Sequence, residues 1–288
     1  MINAQKLGSP YSIRGGLRMS QQDLTFEVKA FVREQLGADL VGIAPVERFE
    51  KAPEGHKPQD ILPGARSVVV FAYDMLESTF KSPRHVVYSL RYWELGRRVQ
   101  FLGYDLCRFI DHKGYYAVYL PSTAPLDMSS EGRGIFADFS YKHAAVEAGI
   151  GEMGWNRLLI TPQFGPRVWL SAAITTAPLT PDPRFEQSLC PRDDCRICLD
   201  ECPVGALTPE TQEGIDKRKC LRAEDVGLYA VLKHIKGTML EQDPQKKLDR
   251  ALGPKTWNIW QDLKYGMGYG DGCNRCMAVC PIGKGGKS

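Results

Sequence analysis

Two cysteine runs in its final third constrain this chain more than any other feature. The first reads Cys190-Pro-Arg-Asp-Asp-Cys195-Arg-Ile-Cys198-Leu-Asp-Glu-Cys202-Pro203, the second Cys273-Asn-Arg-Cys276-Met-Ala-Val-Cys280-Pro281. Each contains C-x2-C-x3-C-P. Thiolates at that spacing grip an iron–sulfur cube, and the last Cys of each run reaches across to the other cube. Two such runs in tandem, both ending in Cys-Pro, are a specific signal.

Two cubes need eight thiolates. The runs supply seven, and Cys220, in Lys-Arg-Lys-Cys-Leu-Arg between them, is the natural eighth. The crossing rule assigns Cys190, Cys195, Cys198 and Cys280 to one [4Fe–4S] cluster and Cys202, Cys220, Cys273 and Cys276 to the other. Two details depart from the usual run: four residues separate Cys190 from Cys195 instead of two, and Cys220 is far from Cys273. Structural zinc also uses paired C-x2-C, but needs neither the third Cys nor the Cys-Pro ending. The ninth cysteine, Cys107, falls in an amphipathic stretch and reads as a small buried hydrophobe. None of the five His forms a metal-spaced pair, so a His-ligated catalytic metal has no support in the sequence.

At 288 residues, 43% hydrophobic and 25% charged, the chain has the makings of one large domain and a small one. A net charge of +3 is too slight to argue for nucleic acid. No apolar run reaches the length of a membrane span. The first twenty residues lack an apolar signal core and an Arg-Arg pair. Clustered thiols without export signals indicate a cytoplasmic protein whose cysteines bind metal.

Residues 1–19 read as a loose arm. Ser20-Gln-Gln-Asp23 is a capping box, followed by Leu24, Val28, Phe31 and Val32 at helical spacing, with Gly37 placed to stop the helix. Short buried strands are expected at 40–44 and 67–72, a long helix from about 83 to 113, and a strand at 115–120. Residues 121–133 read as a loop and 141–148 as a short helix, before strands near 158–161 and 168–175. Pro178, Pro181 and Pro183 mark a link to the cysteine-rich part. Strands alternating with helices indicate a mixed α/β or α+β domain over 20–180, with the cluster module over 181–288.

Gly149-Ile-Gly151-Glu-Met-Gly154 satisfies G-x-G-x-x-G. A dinucleotide site needs a strand before that turn and a helix after it. Here a helix precedes and a strand follows, which sets a Rossmann site aside. What is left is a tight packing corner, or a place where the backbone approaches something bulky.

Beyond the arm, the chain resembles the family that joins reductive dehalogenases to epoxyqueuosine reductases. The residues are Leu36-Gly-Ala-Asp-Leu-Val-Gly-Ile-Ala44, Leu62-Pro-Gly-Ala-Arg-Ser-Val68, Ala148-Gly-Ile-Gly-Glu-Met-Gly154 and Leu159-Ile-Thr-Pro-Gln-Phe-Gly-Pro-Arg167, together with the two Cys-Pro runs. The resemblance implies a nitroreductase-like core that binds cobalamin base-off, followed by a bacterial-ferredoxin-like module. Electrons would pass through both clusters to cobalt, and the protein would position substrate and supply a proton. On this resemblance Gly149, Gly151, Gly154 and Trp155 are the candidate cobalamin contacts.

The two branches leave different marks. Glu152 and Thr161-Pro-Gln-Phe-Gly-Pro-Arg167 look like the dehalogenase side. Epoxyqueuosine reductases usually place a proton-donating Asp thirteen residues before the Ala of the glycine turn, and that count from Ala148 reaches Ile135, with Asp138 three residues on. A helical repeat region after the clusters, which helps those enzymes hold tRNA, is missing, and so is the twin-arginine signal of respiratory dehalogenases. The expectation is therefore a cytoplasmic reductase acting on a small molecule, fed by a donor such as ferredoxin or flavodoxin, with no membrane and no nucleic-acid partner. An epoxyqueuosine-type tRNA enzyme and a ferredoxin-type electron-transfer protein without a catalytic cofactor are the alternatives. Tyr141, Lys142 and Asp138 precede the glycine turn and are the candidate proton donors.

Overall fold

In the computed structural model, the residues described are 20–83, 85–120, 126–127, 136–209, 215–222, 227–257, 259 and 273–283. The expected arm and most of the expected loop at 121–133 lie outside them, as does Ile135. Helix α1 (Gln21–Ala30) opens on Ser20 as its N-cap, without the reciprocal backbone bond of a full capping box. The Ser20 hydroxyl accepts from the Asp23 amide at 3.1 Å and donates to the Asp23 carboxylate at 2.7 Å. A π-helical turn (Phe31–Gln35) continues it, and Gly37, at φ 66°, reverses the chain into β1 (Leu40–Pro45). After the short α2 (Pro58–Ile61) comes β2 (Ser67–Asp74), then α3 (Glu77–Lys81) and the long α4 (His85–His112). Strand β3 (Ala117–Tyr119) and the two-residue β4 (Leu126–Asp127) and β5 (Phe136–Ala137) lead to α5 (Tyr141–Glu147). A small hairpin, β6 (Glu152–Met153) with β7 (Leu159–Ile160), precedes β8 (Val168–Thr175).

The main sheet has the order β1-β2-β8-β3 and every pairing in it is antiparallel. The domain is thus mixed α and β, with an antiparallel sheet in place of parallel βαβ units. β2 lies inside the sheet, with its first seven residues buried, which explains why Ser-Val-Val-Val-Phe-Ala-Tyr carries almost no polar alternation. Val69, Phe71 and Tyr73 pack with Val28, Val99 and Leu106 of α1 and α4 on one face. Val68 and Val70 pack with Tyr141, Ala144 and Ala145 of α5 on the other. Helices therefore cover both faces, and a strand in that position must be apolar on both sides.

Aromatic contacts lock the helical layer: Phe31 stacks on Phe109 with centroids 4.2 Å apart, and Tyr92 meets Trp169 edge-on at 4.3 Å. The proline-marked stretch after β8 is not a free linker. Asp182 pairs with Lys29 at 2.5 Å, accepts from the Ile43 amide at 2.8 Å, and returns its own amide to the Ile43 carbonyl at 2.9 Å. Those bonds also occupy the outer edge of β1, which would otherwise be open to another strand.

Beyond the sheet the described elements are short helices. They are α6 (Ile197–Asp200), α7 (Lys217–Arg222), α8 (Gly227–Leu240), α9 (Pro244–Leu252) and α10 (Arg275–Ala278). Among the described residues, no helix is long and apolar enough to cross a membrane.

Candidate functional site

The two cysteine runs fold against one strip of the sheet domain, residues 152–167. Each contact is a polar group meeting a backbone partner. The Glu152 carboxylate accepts from the amides of Leu189, at 2.7 Å, and Cys190. Arg192 donates to the Met153 carbonyl at 3.1 Å, and Asn156 donates to the Cys276 carbonyl at 3.2 Å. Arg167, 2% exposed, donates to the carbonyls of Met277, Cys280 and Ile282 at 3.5, 3.1 and 2.5 Å. Gly165, at φ 56°, lets the second run come closer still: a Cβ there would stand 2.0 Å from the Ile282 carbonyl oxygen.

This docking gathers cysteines from both runs. Cys190, Cys195, Cys198 and Cys280 line one pocket with Trp155, Asn156 and Ile160. Burial pushes the Cys198 thiol up to about 11, and Cys190, Cys280 and Cys195 push it in the same direction. Burial likewise raises the Cys276 thiol to about 12, and Cys220, Cys273, Cys198 and Cys202 push it in the same direction, in that order. Among the described residues, no three His, Cys, Asp or Glu side chains converge as a single-ion cage. Cysteines of both runs do meet: Cys280 shares a pocket with Cys190, Cys195 and Cys198, and Cys276 lies within electrostatic reach of Cys198, Cys202 and Cys220.

The chemistry of these groups fits an iron–sulfur cube. The buried Cys198, Cys276 and Cys280 thiols resist ionisation when alone, and an iron core would reverse that balance by binding them as thiolates. At Cys202 burial raises the thiol, but the amides of Val204, Ala206, Leu207 and Gly205 outweigh it and bring the thiol below its ordinary value. The Ala206 amide reaches the Cys202 sulfur at 3.2 Å. Lys142, Arg157 and Lys217 act on one another beside Cys220 and Cys276, placing positive charge against the second group.

The candidate proton donors are not brought together. The Tyr141 hydroxyl donates to the Leu120 carbonyl and accepts from the Leu120 amide at 3.2 Å, and its ring is buried in the sheet face. Burial is the main cause that holds that phenol well above its ordinary range. The Lys142 ammonium points elsewhere, donating to the Arg157 carbonyl at 2.9 Å on the cysteine side. Tyr141 is therefore a packing residue and Lys142 a neighbour of the second cysteine group. Consecutive helical residues point about 100° apart, so one cannot assist the other. Asp138 is exposed, just ahead of α5, and His56 Nδ1 donates to its main-chain carbonyl at 3.0 Å.

The glycine turn also takes a different role from the one expected of it. A Cβ on Gly149 would stand 2.0 Å from the Pro183 carbonyl oxygen, and one on Gly151 equally close to that of Ile160. A Cβ on Gly154 would stand 2.6 Å from the Ile160 side chain. The space each glycine leaves is filled by the protein's own chain, so Gly149, Gly151 and Gly154 form a packing corner and do not fit a corrin cradle. Trp155 faces the cysteine pocket. Spacing in the sequence revealed the cysteines; Arg167, Glu152 and Asn156 escaped it as docking residues, because their partners are main-chain groups far along the chain.

No protein-family model matches the chain. Its sequence is 28% identical to an epoxyqueuosine reductase of Bacillus cereus over 93% of this chain and 66% of that protein. It is 30% identical to a tetrachloroethene reductive dehalogenase of Sulfurospirillum multivorans over 62% of this chain and 28% of that protein. The chain thus spans just under two thirds of the first relative's length. Among solved structures, an epoxyqueuosine reductase with an epoxyqueuosine-modified tRNA-Tyr stem loop matches with a TM-score of 0.56, at 20% identity over 92% of this chain and 67% of that one. A reductive dehalogenase, whose structure suggests a mechanism for B12-dependent dehalogenation, matches at 0.52, with 22% identity over 68% of this chain and 27% of that one. The expectation of no nucleic-acid partner is overturned by these findings, since the relatives matching most of the chain include one bound to tRNA. That expectation leaned on the displaced Asp and the missing helical repeat region, and on a small net charge, which says nothing of how charge is distributed over a face. Sequence and fold together make this chain a homologue of both the epoxyqueuosine reductases and the reductive dehalogenases.

Proposed function

We propose that this chain is an iron–sulfur oxidoreductase whose substrate is an epoxide-bearing modified nucleoside in tRNA. The observation that carries the reading is coverage. Similarity to the epoxyqueuosine reductase runs through 93% of this chain and 66% of that protein, against 62% to 86% of this chain and only 28% to 37% of the tetrachloroethene reductive dehalogenases. On this reading the sheet and its helices are the nitroreductase-like core, and residues 181–288 form the ferredoxin-like module. The reaction consumes two electrons and two protons, cleaves both C–O bonds of the epoxide, leaves an alkene, and releases the oxygen as water.

Cys190, Cys195, Cys198 and Cys280 would hold one cluster, and Cys202, Cys220, Cys273 and Cys276 the other. Bound there, the clusters would supply single electrons at low potential. Lys142, Arg157 and Lys217 offset the negative charge of the second cysteine group, and the strip 152–167 keeps both groups fixed to the core. Asp138 is the proton donor in this proposal, because it is exposed on a segment that His56 and the buried Phe139 hold in place. Cobalamin joins the proposal through the B12-dependent relative alone; the space at the three glycines expected to contact it is filled by the protein's own chain, and no step is assigned to it.

Anaerobically purified, chemically reduced protein should convert epoxyqueuosine-containing tRNA to a nucleoside lighter by one oxygen atom, read by mass spectrometry of the digested tRNA. Unchanged tRNA, with halide released from a chlorinated substrate under the same conditions, would place the protein with the dehalogenases instead. Cobalt analysis of the same sample decides whether a corrin is present.

A further inference from the structure

The Trp155 indole nitrogen is the buried side-chain donor that, among the described residues, has no hydrogen-bond partner. The residue is 3% exposed, and leaving such an N–H unsatisfied is costly. Packing alone does not call for it. The apolar neighbours Leu199 and Leu207 would accept a plain aromatic ring equally well. Trp155 lines the pocket shared by Cys190, Cys195, Cys198 and Cys280, whose other walls are largely Ile and Pro side chains. Sulfur is the acceptor that this pocket offers in quantity. Cys202 and Cys276 also pack against the small cluster that Trp155 forms with Leu199 and Leu207.

We propose that the Trp155 N–H donates a hydrogen bond to a sulfur of the cluster held by Cys190, Cys195, Cys198 and Cys280, and so sets that cluster's reduction potential above what the pocket alone would give. The inference rests on the reading that these cysteines hold a cluster. Its physical basis is charge. Reduction adds one electron to an already anionic cluster, and a donor aimed at its sulfurs stabilises the reduced form more than the oxidised form. In a pocket that is otherwise apolar, the effect is not diluted by water. The consequence is a cluster that takes electrons more readily than it would without the indole N–H.

Trp155→Phe keeps the ring and removes the N–H. In redox titrations followed by optical and EPR spectra, the variant should retain the parent's iron and sulfide, with one midpoint potential moved to lower values and the other held. Heavy-nitrogen labelling of Nε1 in the parent should add a hyperfine coupling to the reduced cluster's spectrum. Equal potentials in parent and variant at equal iron content, or a labelled parent with no such coupling, overturn the inference. Should the variant lose its iron, the labelled parent decides alone. A parent that binds no iron removes the underlying reading itself, which is a different result from full iron with unmoved potentials.

Discussion

A guanidinium buried against three carbonyls leaves those carbonyls stranded when it is taken away. Arg167→Leu should therefore destabilise the protein by about 3 kcal/mol or more, measured by denaturant unfolding, and should loosen the second cysteine run. Arg167→Lys keeps the charge but cannot reproduce a planar fork across Met277, Cys280 and Ile282, so it should recover part of the loss. The proton donor gives a contrasting pair. Tyr141→Phe deletes a hydroxyl committed to Leu120 and should cost about 1 kcal/mol while turnover stays near the parent's. Asp138→Asn should leave stability within about 0.5 kcal/mol and lower turnover about a hundred- to ten-thousand-fold. If instead the Phe variant is inactive and the Asn variant active, the assignment is reversed. Single residues were unevenly legible. Cysteine spacing is read directly, because cluster ligation acts between neighbours in sequence. Neither Arg167 nor Tyr141 could be placed that way, since each is defined by a carbonyl that only the folded chain brings near.

Among the elements, β2 contributes to the alkaline limit of stability. Burial pushes the Tyr73 phenol up to about 12 from an ordinary 10.0; the Arg98 charge opposes this and Asp39 adds to it. Its hydroxyl donates to the Leu36 carbonyl at 2.8 Å, an interaction that ionisation would destroy. An acid whose folded pKa is raised favours folding below its unfolded pKa, and that contribution drains away as pH climbs through the folded pKa. Stability should accordingly fall between about pH 10 and about pH 12, and Tyr73→Phe should flatten that fall while lowering stability at neutral pH by about 1 kcal/mol. The glycine corner makes a steric prediction. Gly149→Ala meets both φ 75° and the Pro183 carbonyl, so it should cost more than about 1 kcal/mol in thermal or denaturant unfolding. Strand and helix positions followed from periodicity, and β8 fell at its expected residues, 168–175. The antiparallel order did not, because alternation of strands and helices along a chain leaves open which strands become neighbours.

Across the whole molecule, each cysteine group draws on both runs, and that makes iron content a test of the arrangement. Parent protein should carry about eight irons. Cys107→Ser should carry the same, since that thiol is buried in the helical layer and burial raises it to about 12. Cys280→Ser should lose the iron of one cluster first, with its spectrum changing before that of the other. An iron content near four in the parent would mean that one of the two groups is misassigned.

The crossing of the two runs also sets an order of events during synthesis. Cys190, Cys195 and Cys198 emerge from the ribosome long before Cys280, and Cys202 long before Cys276. The sheet domain draws little of its apolar core from the later run, Met277 packing against its edge, so it is free to fold first and offer strip 152–167 as a waiting surface. Neither cysteine group can close until the second run has arrived. Nascent chains released before Cys273 should therefore hold no complete cluster, while the growing chain exposes half-built thiol sites that depend on iron delivery after translation.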